Sequence, residues 1–364
     1  MTSRGEWVFI EHRKHTKPTT NTSLSMPDIS VIIPVFNRGA LVRHTLNSVR
    51  AASMGLKVEI VVVDDGSAVP IADDLARIDE HVDRLIRQEN RGLLFARLAG
   101  LEAATGRHVL FLDSDDLITP AKLRAHVAAQ DAGADVSYSD QTGQALDDQT
   151  GPGGEPDPFR PIPCAQSAAH FFLTIQPSPH SPAFRADYLR ARIAAAPFPP
   201  SPLYNPVAEI WFYHICAPFP ARVVKCSGLA LIGRHTGPRL TNHWERLGIA
   251  SLAVQEAFSR SAPCDTPEAR EARARFAAKA FISWRALPRD FSPAFASRQL
   301  ALFKNSFAPP PLAELGGPVF RAVARALGPV TAGRLFKRRN RPYATCRTVD
   351  DATLAELLAQ LPPP

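Results

Sequence analysis

The sequence predicts an α/β protein with a doubly wound, mostly parallel sheet and helices on both faces, followed by a carboxy-terminal helical extension. Three observations carry this. Apolar runs of strand length alternate with amphipathic stretches of helical period between residues 29 and 112. Two of those runs end in acidic clusters, Asp64-Asp65-Gly66-Ser67 and Asp113-Ser114-Asp115-Asp116, at the carboxyl ends where open α/β sheets hold ligands. From about Trp244 onward the chain turns Ala- and Arg-rich, with helical stretches spaced by prolines.

Residues 29–35 form an apolar run of the length of one buried strand, and 58–63 form a second. Between them, residues 39–53 place Leu41, Val42, Leu46 and Val49 on one helical stripe. Ile71, Leu75 and Ile78 mark a second helix, and a short strand is expected at 85–87. A third helix at 93–104 leads into a strand at 108–112. Such alternation implies crossover connections and a parallel sheet, so both acidic clusters arrive at one sheet edge. Carboxylates crowded there supply the hard oxygen ligands that Mg2+ or Mn2+ prefers when it also bridges a phosphate. The second cluster equally suits an Asp-rich turn capping a helix that starts near Pro120, because helix starts favour Asp at the cap and Pro in the first turn.

Four segments, 30–38 (SVIIPVFNR), 60–67 (IVVVDDGS), 88–100 (QENRGLLFARLAG) and 111–120 (FLDSDDLITP), resemble in order and spacing the successive motifs of family 2 glycosyltransferases with a GT-A fold. The resemblance covers 29–139 well and fades towards 241. It implies transfer of a sugar from a nucleotide-diphospho-sugar, UDP-linked by expectation, to an acceptor hydroxyl in surface polysaccharide or glycoconjugate synthesis. Inversion and a divalent cation, Mn2+ or Mg2+, belong to the same expectation. Residue by residue, the resemblance places Pro34, Phe36 and Asn37 beneath the donor's base and Asp65 on it, with Asp64 there or securing the loop. Asp115 matches the metal ligand, Asp113 a residue at the ribose or the metal, and Ser114 stands between them in the donor motif. Arg97 matches the arginine of an N-x-G-x-x-x-A-R-N motif (Asn90, Gly92, Ala96, Arg97), with Leu98 replacing the final Asn. It would hold the nucleotide or brace an aspartate through a forked contact. His235, within 231–241 (LIGRHTGPRLT), would approach the metal or the diphosphate.

The downstream match is uneven where catalysis depends on it. Residues 180–190 (HSPAFRADYLR) resemble the strand and helix near the acceptor, and 205–217 (NPVAEIWFYHICA) stands in the place of the family's E-D-x-D-L-W helix. Aligned on Trp211, the Glu-Asp pair is replaced by Pro206 and Val207. The Asp of that pair is usually the general base of inverting members, and an acceptor hydroxyl becomes a competent nucleophile only as a positioned base takes its proton. Glu209 is the nearest carboxylate and would serve if the helix is shifted or rotated by about half a turn. Asp140, after a strand expected at 136–138, is a second candidate. The alternative is a degenerate GT-A module that binds nucleotide sugar or a partner without transfer.

The 364-residue chain, 45% hydrophobic, can fill a large core. Its expected organisation is a flexible basic leader at 1–28, a sheet domain at 29–243 with a nucleotide half at 29–140 and an acceptor half at 141–243, and a helical appendage at 244–364. Residues 141–163, rich in Gly, Pro and Asp, read as a long loop of the kind that closes over a site. Helices are expected at 252–259, 267–286, 291–303, 318–327 and 352–361. Five scattered cysteines without a C-x-x-C pair favour reduced thiols. No secretory signal is visible and no apolar run reaches the ~18 residues that cross a bilayer, so the expected location is cytoplasmic. Arg334, Lys337, Arg338, Arg339 and Arg341, in a chain of net charge +7, suit either a solvated linker or an anionic surface. That surface would be an acidic polysaccharide or a membrane inner face carrying a lipid-linked acceptor. A carbohydrate or protein acceptor is equally open. No aromatic-basic interleaving points to nucleic acid.

Overall fold

The computed structural model describes residues 8–10, 26–77, 82–237, 239 and 242–363. It divides into two compact units. The first comprises Met1–Ala165, Pro177–Ala191 and Ala221–Gly237, and the second Gln166–Gln176, Arg192–Pro220 and Pro238–Pro364.

The first unit is a mixed sheet flanked by helices. Its strands are β1 (Val8–Ile10), β2 (Ile29–Val35), β3 (Val58–Asp64), β4 (Arg84–Arg87), β5 (His108–Phe111), β6 (Leu117–Ile118), β7 (Val136–Asp147), β8 (Gly151–Gly153), β9 (Pro182–Arg185) and β10 (Val223–Arg234). They lie in the order β1-β4-β3-β2-β5-β9-β7-β10-β6, with β8 on β7. The helices are α1 (Gly39–Ala52), α2 (Ile71–Arg77), α3 (Leu93–Ala103), α4 (Lys122–Asp131) and α5 (Ala186–Ala194).

Strands β4, β3, β2 and β5 run parallel to one another, as the alternating pattern predicts. Every residue of β2 is buried because both sheet faces are covered. Ile29, Val31, Ile33 and Val35 pack in one core with Val42, Leu46 and Val49 of α1 and Leu75 of α2. Ile32 and Val63 point the other way, under α3, where Gly100 permits close approach. A Cβ added there would lie 2.3 Å from Ile32 Cγ2. Ile78, expected on the second helix, falls outside the described residues.

Two expectations are corrected. Within the segment read as a flexible leader, Val8–Ile10 pair antiparallel with β4, and most of the rest lies outside the described residues. The strand expected to stop at 138 continues to Asp147 and turns back into β8, so 141–147 belong to the sheet and not to a loop. Its inward positions include Thr142 and Gln144, which are buried and donate hydrogen bonds to Asp157 O and Gly153 O. Polar residues at core-facing positions hide a strand from any hydropathy pattern. The sheet is mostly parallel as expected, with β9 antiparallel to both β5 and β7 and with β7 and β10 parallel again.

The second unit is helical: α6 (Ala208–Cys216), α7 (Trp244–Ser261), α8 (Pro267–Ala286), α9 (Pro293–Lys304), α10 (Leu312–Leu315), α11 (Pro318–Leu327), α12 (Pro329–Lys337) and α13 (Asp351–Ala359). A π-helical turn at His170–Ile175 and 3-10 turns at Pro202–Val207 and Tyr343–Thr345 also belong to it. The boundary expected at Trp244 is therefore displaced, because 166–176 and 192–220 fold with the carboxy-terminal helices. The cause is aromatic packing. Phe171 and Phe172 meet Tyr213, and His214 stands edge-on to Phe258 and Phe276. Burial pushes His214 down to about 4, so it enters this core as a neutral ring. What reads as an appendage is the bed on which the Trp211 helix rests.

Candidate active site

Strands β2 and β3 end side by side, Val35 against Asp64, and the two loops that follow are tied together. Asp65 N–H donates to Val35 O at 2.9 Å. Asn37, at φ 54, donates its N–H to Ser67 Oγ at 2.9 Å and accepts from Ala68 N–H at 2.8 Å. Asparagine is one of the few side chains that enters the left-handed region readily. Gly66, at φ 78, is needed for the same turn, since a Cβ there would sit 2.7 Å from Asn90 N. Pro34 is buried within β2, while Phe36 is exposed at the loop tip.

The two carboxylates of this loop face inward. Asp64 accepts from Ser67 N–H at 2.8 Å, from Ile71 N–H at 3.2 Å and from the Arg87 guanidinium, so it secures the loop and the first turn of α2. Asp65 accepts Gln88 Nε2 at 2.6 Å and Arg91 N–H at 3.0 Å on Oδ1, and Gly92 N–H at 2.8 Å on Oδ2. It thereby fixes the chain that leads into α3. Buried Arg97 on α3 donates to Asp113 Oδ1 at 2.7 Å and lies 5.9 Å from the Phe111 ring centroid. Of the two roles open to it, this is the bracing of an aspartate.

Asp115 meets two basic side chains. Its Oδ2 is 2.8 Å from His235 Nε2 and 3.3 Å from Arg38 Nη1, and Arg38 Nη1 is itself 2.8 Å from His235 Nε2. Gly237 N–H donates to His235 Nδ1 at 3.0 Å, which leaves Nε2 facing both the Asp115 carboxylate and the Arg38 guanidinium. Ser114 is buried between the two acidic positions. Asp116, also buried, accepts Gly233 N–H at 2.8 Å and lies 2.7 Å from His180 Nδ1. Burial pushes the Asp116 carboxyl up, and the charges of Asp113 and Asp115 act the same way against His180. For His180, burial favours the neutral ring, but the charge and contact of Asp116 outweigh it and raise the imidazole above its ordinary value.

Two residue sets have the donors for a cation. Asp113, Asp116 and His180 offer ligand atoms within 4.8 Å of one another. Asp116 and His180 are, however, enclosed and engaged with each other. Asp113 and Asp115, with side chains 29% and 16% exposed, present carboxylate oxygens at the sheet edge, a set that fits a hard divalent ion shared with a phosphate. His235 Nε2 lies beside Asp115 at the same edge, 2.8 Å from its Oδ2.

Asp140 Oδ1 takes Lys225 Nζ and Ile162 N–H, both at 2.7 Å, and so anchors the chain after β8. Glu209 stands in the first turn of α6, in the second unit, two positions before the fully buried Trp211. Sequence reasoning assigned no individual role to Arg38, Asp116 or His180. Arg38 closes the first motif and His180 opens another, but their partners are remote along the chain, 197 residues away for Arg38 and His235.

Residues 30–155 match glycosyl transferase family 2, a span that includes all four donor motifs. The likeness to family 2 glycosyltransferases lies in this segment of the chain. The chain is 39% identical over 100 residues to EpsH of Bacillus subtilis (strain 168), a stretch covering 27% of this chain and 28% of EpsH. It is 36% identical over 124 residues to the succinoglycan biosynthesis protein ExoO of Rhizobium meliloti (strain 1021), covering 34% and 35%. The chain thus aligns with roughly a third or less of the length of these curated relatives. Among solved structures, S. aureus TarS 1–349 with UDP-GlcNAc superposes with a TM-score of 0.58 at 18% identity, over 85% of this chain and 90% of that one. Mannosyltransferase PcManGT from Pyrobaculum calidifontis, with GDP-Man and Mn2+, gives 0.50 at 16%, over 92% and 86%. At such identities the likeness establishes the fold, which is GT-A. Among the described residues, no helix is long and apolar enough to cross a membrane.

Proposed function

We propose that this protein transfers a sugar from a nucleotide-diphospho-sugar to an acceptor hydroxyl in polysaccharide or glycoconjugate synthesis, with inversion and with a divalent cation. The observation that carries the reading is the convergence of Asp113 and Asp115 with Arg38, Arg97 and His235 at one sheet edge. ExoO's part in succinoglycan biosynthesis and the nucleotide sugars bound by the two structural neighbours support it. A uridine donor is the working choice.

Exposed Phe36 would form the floor beneath the base, between loops held by Asn37 and Asp64. Asp65 would act on the base through residues 88–92, which it orders, because three donors already converge on its carboxylate. Asp113 and Asp115 would hold the cation, whose chemistry is Lewis-acid neutralisation of charge on the leaving diphosphate. Arg38 and Arg97 would add fixed positive charge on the same side. Glu209 would take the proton of the acceptor hydroxyl, with Asp140 as second candidate.

Pro206 and Val207, in place of the family's Glu-Asp pair, favour a second reading: a module that binds nucleotide sugar without turnover. The test is release and transfer of labelled sugar from UDP- and GDP-sugars with Mn2+. Transfer is expected in the native protein and abolished in Asp115→Ala. Glu209→Gln should keep donor binding and lose about 10²–10⁴-fold in rate, the range for a removed general base. Donor binding with no turnover towards any acceptor would sink the transferase reading and leave the module.

A further inference from the structure

The second unit carries a surface that sugar transfer does not use. Residues 316–349 contain eight Lys or Arg and no Asp or Glu. Helix α11 within that stretch leaves Val319, Ala322, Ala326 and Leu327 exposed on its surface, while Val323 packs partly against the core that holds Phe320 and Ala324. Only Phe320 and Ala324 of this helix are buried. Val319 is 71% exposed and Leu327 53%, and Leu335 on α12 is 41% exposed. Gly328, at φ 78, joins α11 to α12 in a helical hairpin. Beside the hairpin lies an open groove of about 540 Å3, lined by Ile282, Val319 and Phe336 together with Arg285 and Arg339.

We infer that the α11–α12 hairpin docks on an anionic phospholipid bilayer. An amphipathic helix with exposed apolar side chains and a basic polar flank is the form in which a helix lies in the membrane interface. Val319, Leu327 and Leu335 enter the boundary between headgroups and acyl chains. Arg325, Arg334, Arg338 and Arg339, all exposed, meet the headgroups. Lys337 is not in this set. Its ammonium lies over the Trp284 ring at 5.6 Å, and burial lowers its pKa. Charge complementarity selects the occupant. A second copy of this chain would bring eight like charges against eight, and an acidic polysaccharide would leave the exposed apolar side chains in water. The inference is independent of whether the domain transfers sugar.

The experiment is co-sedimentation of the full chain with large vesicles of phosphatidylcholine alone and with ~30% phosphatidylglycerol added, where each basic side chain near the surface contributes about 1 kcal/mol. Binding is expected only with the anionic lipid and should fall as salt is raised. Val319→Glu with Leu327→Glu, and separately Arg334→Glu with Arg338→Glu, should each weaken binding by about tenfold or more. These positions are exposed, so the thermal midpoint should not move. Equal binding to neutral vesicles, or full binding by either double variant, overturns the inference. So does retention by soluble dextran sulfate without vesicle binding, which assigns the patch to an acidic polysaccharide. Self-association in solution that the apolar double variant abolishes, again without vesicle binding, assigns it to a second copy.

Discussion

Asp65 can be tested by a substitution that keeps its shape. Three donors converge on the carboxylate, two on Oδ1 and one on Oδ2. Asn offers one acceptor oxygen. Keeping that oxygen on the side of Gln88 and Arg91 turns the amide NH2 towards Gly92 N–H, so a donor faces a donor. An orphaned buried N–H costs about 1–3 kcal/mol, and the two remaining bonds lose the assistance of the negative charge, roughly 1 kcal/mol more. Asp65→Asn should therefore destabilise the first unit by about 3 kcal/mol, or roughly 6–12 °C in midpoint for a domain of this size. Calorimetry measures the shift, and hydrogen exchange at residues 88–92 should show protection lost at the start of α3. A midpoint within about 1 °C of the native protein, with donor binding abolished, would refute the reasoning. The carboxylate would then belong to the donor's base and not to the loop.

Two further outcomes are expected. Arg38→Ala removes a cation 3.3 Å from Asp115, a partly exposed pair worth about 1 kcal/mol. Calorimetric titration should show Mn2+ alone binding roughly fivefold tighter while UDP binds more weakly, and a change of the same sign for both would contradict the site as described. Lys122 is fully buried, with Nζ 2.9 Å from His126 Nε2, 2.6 Å from Ser139 Oγ and 2.9 Å from Ser181 O, and burial pushes it from its ordinary 10.5 down to about 7. A folded pKa below the unfolded one means that the unfolded chain binds the extra proton. The stabilisation is complete above the unfolded value and is lost as pH falls towards 7. Denaturant titrations between those limits should show a slope of up to about 1.4 kcal/mol per pH unit, which Lys122→Met flattens.

Legibility followed the clarity of the periods. Strand β2, helix α1 and the helices at 267–286 and 318–327 were readable because apolar side chains recur there at regular spacing. The length of β7 was not, since Thr142 and Gln144 occupy inward positions and satisfy themselves by hydrogen bonds. Helix α7 starts at Trp244, ahead of the expected 252, where the Trp244 ring packs on Phe291 and Tyr343 from distant parts of the chain. At the site, the motifs pointed to Asp64, Asp65, Arg97, Asp113 and Asp115. They could not say whether a carboxylate faces a ligand or braces a loop, because that depends on which donors reach it.

By itself the sequence determined the parallel core and the sheet edge at which the acidic residues gather. Both follow from local patterns, in which side-chain period and chain reversal are set by near neighbours. Only the tertiary structure decided that Asp64 and Asp65 spend their oxygens on backbone N–H groups, that Arg38 and His235 meet at Asp115, and that the Trp211 helix belongs with the carboxy-terminal helices. These are contacts between residues far apart in the chain. Their energies depend on distance and burial, quantities no local pattern contains.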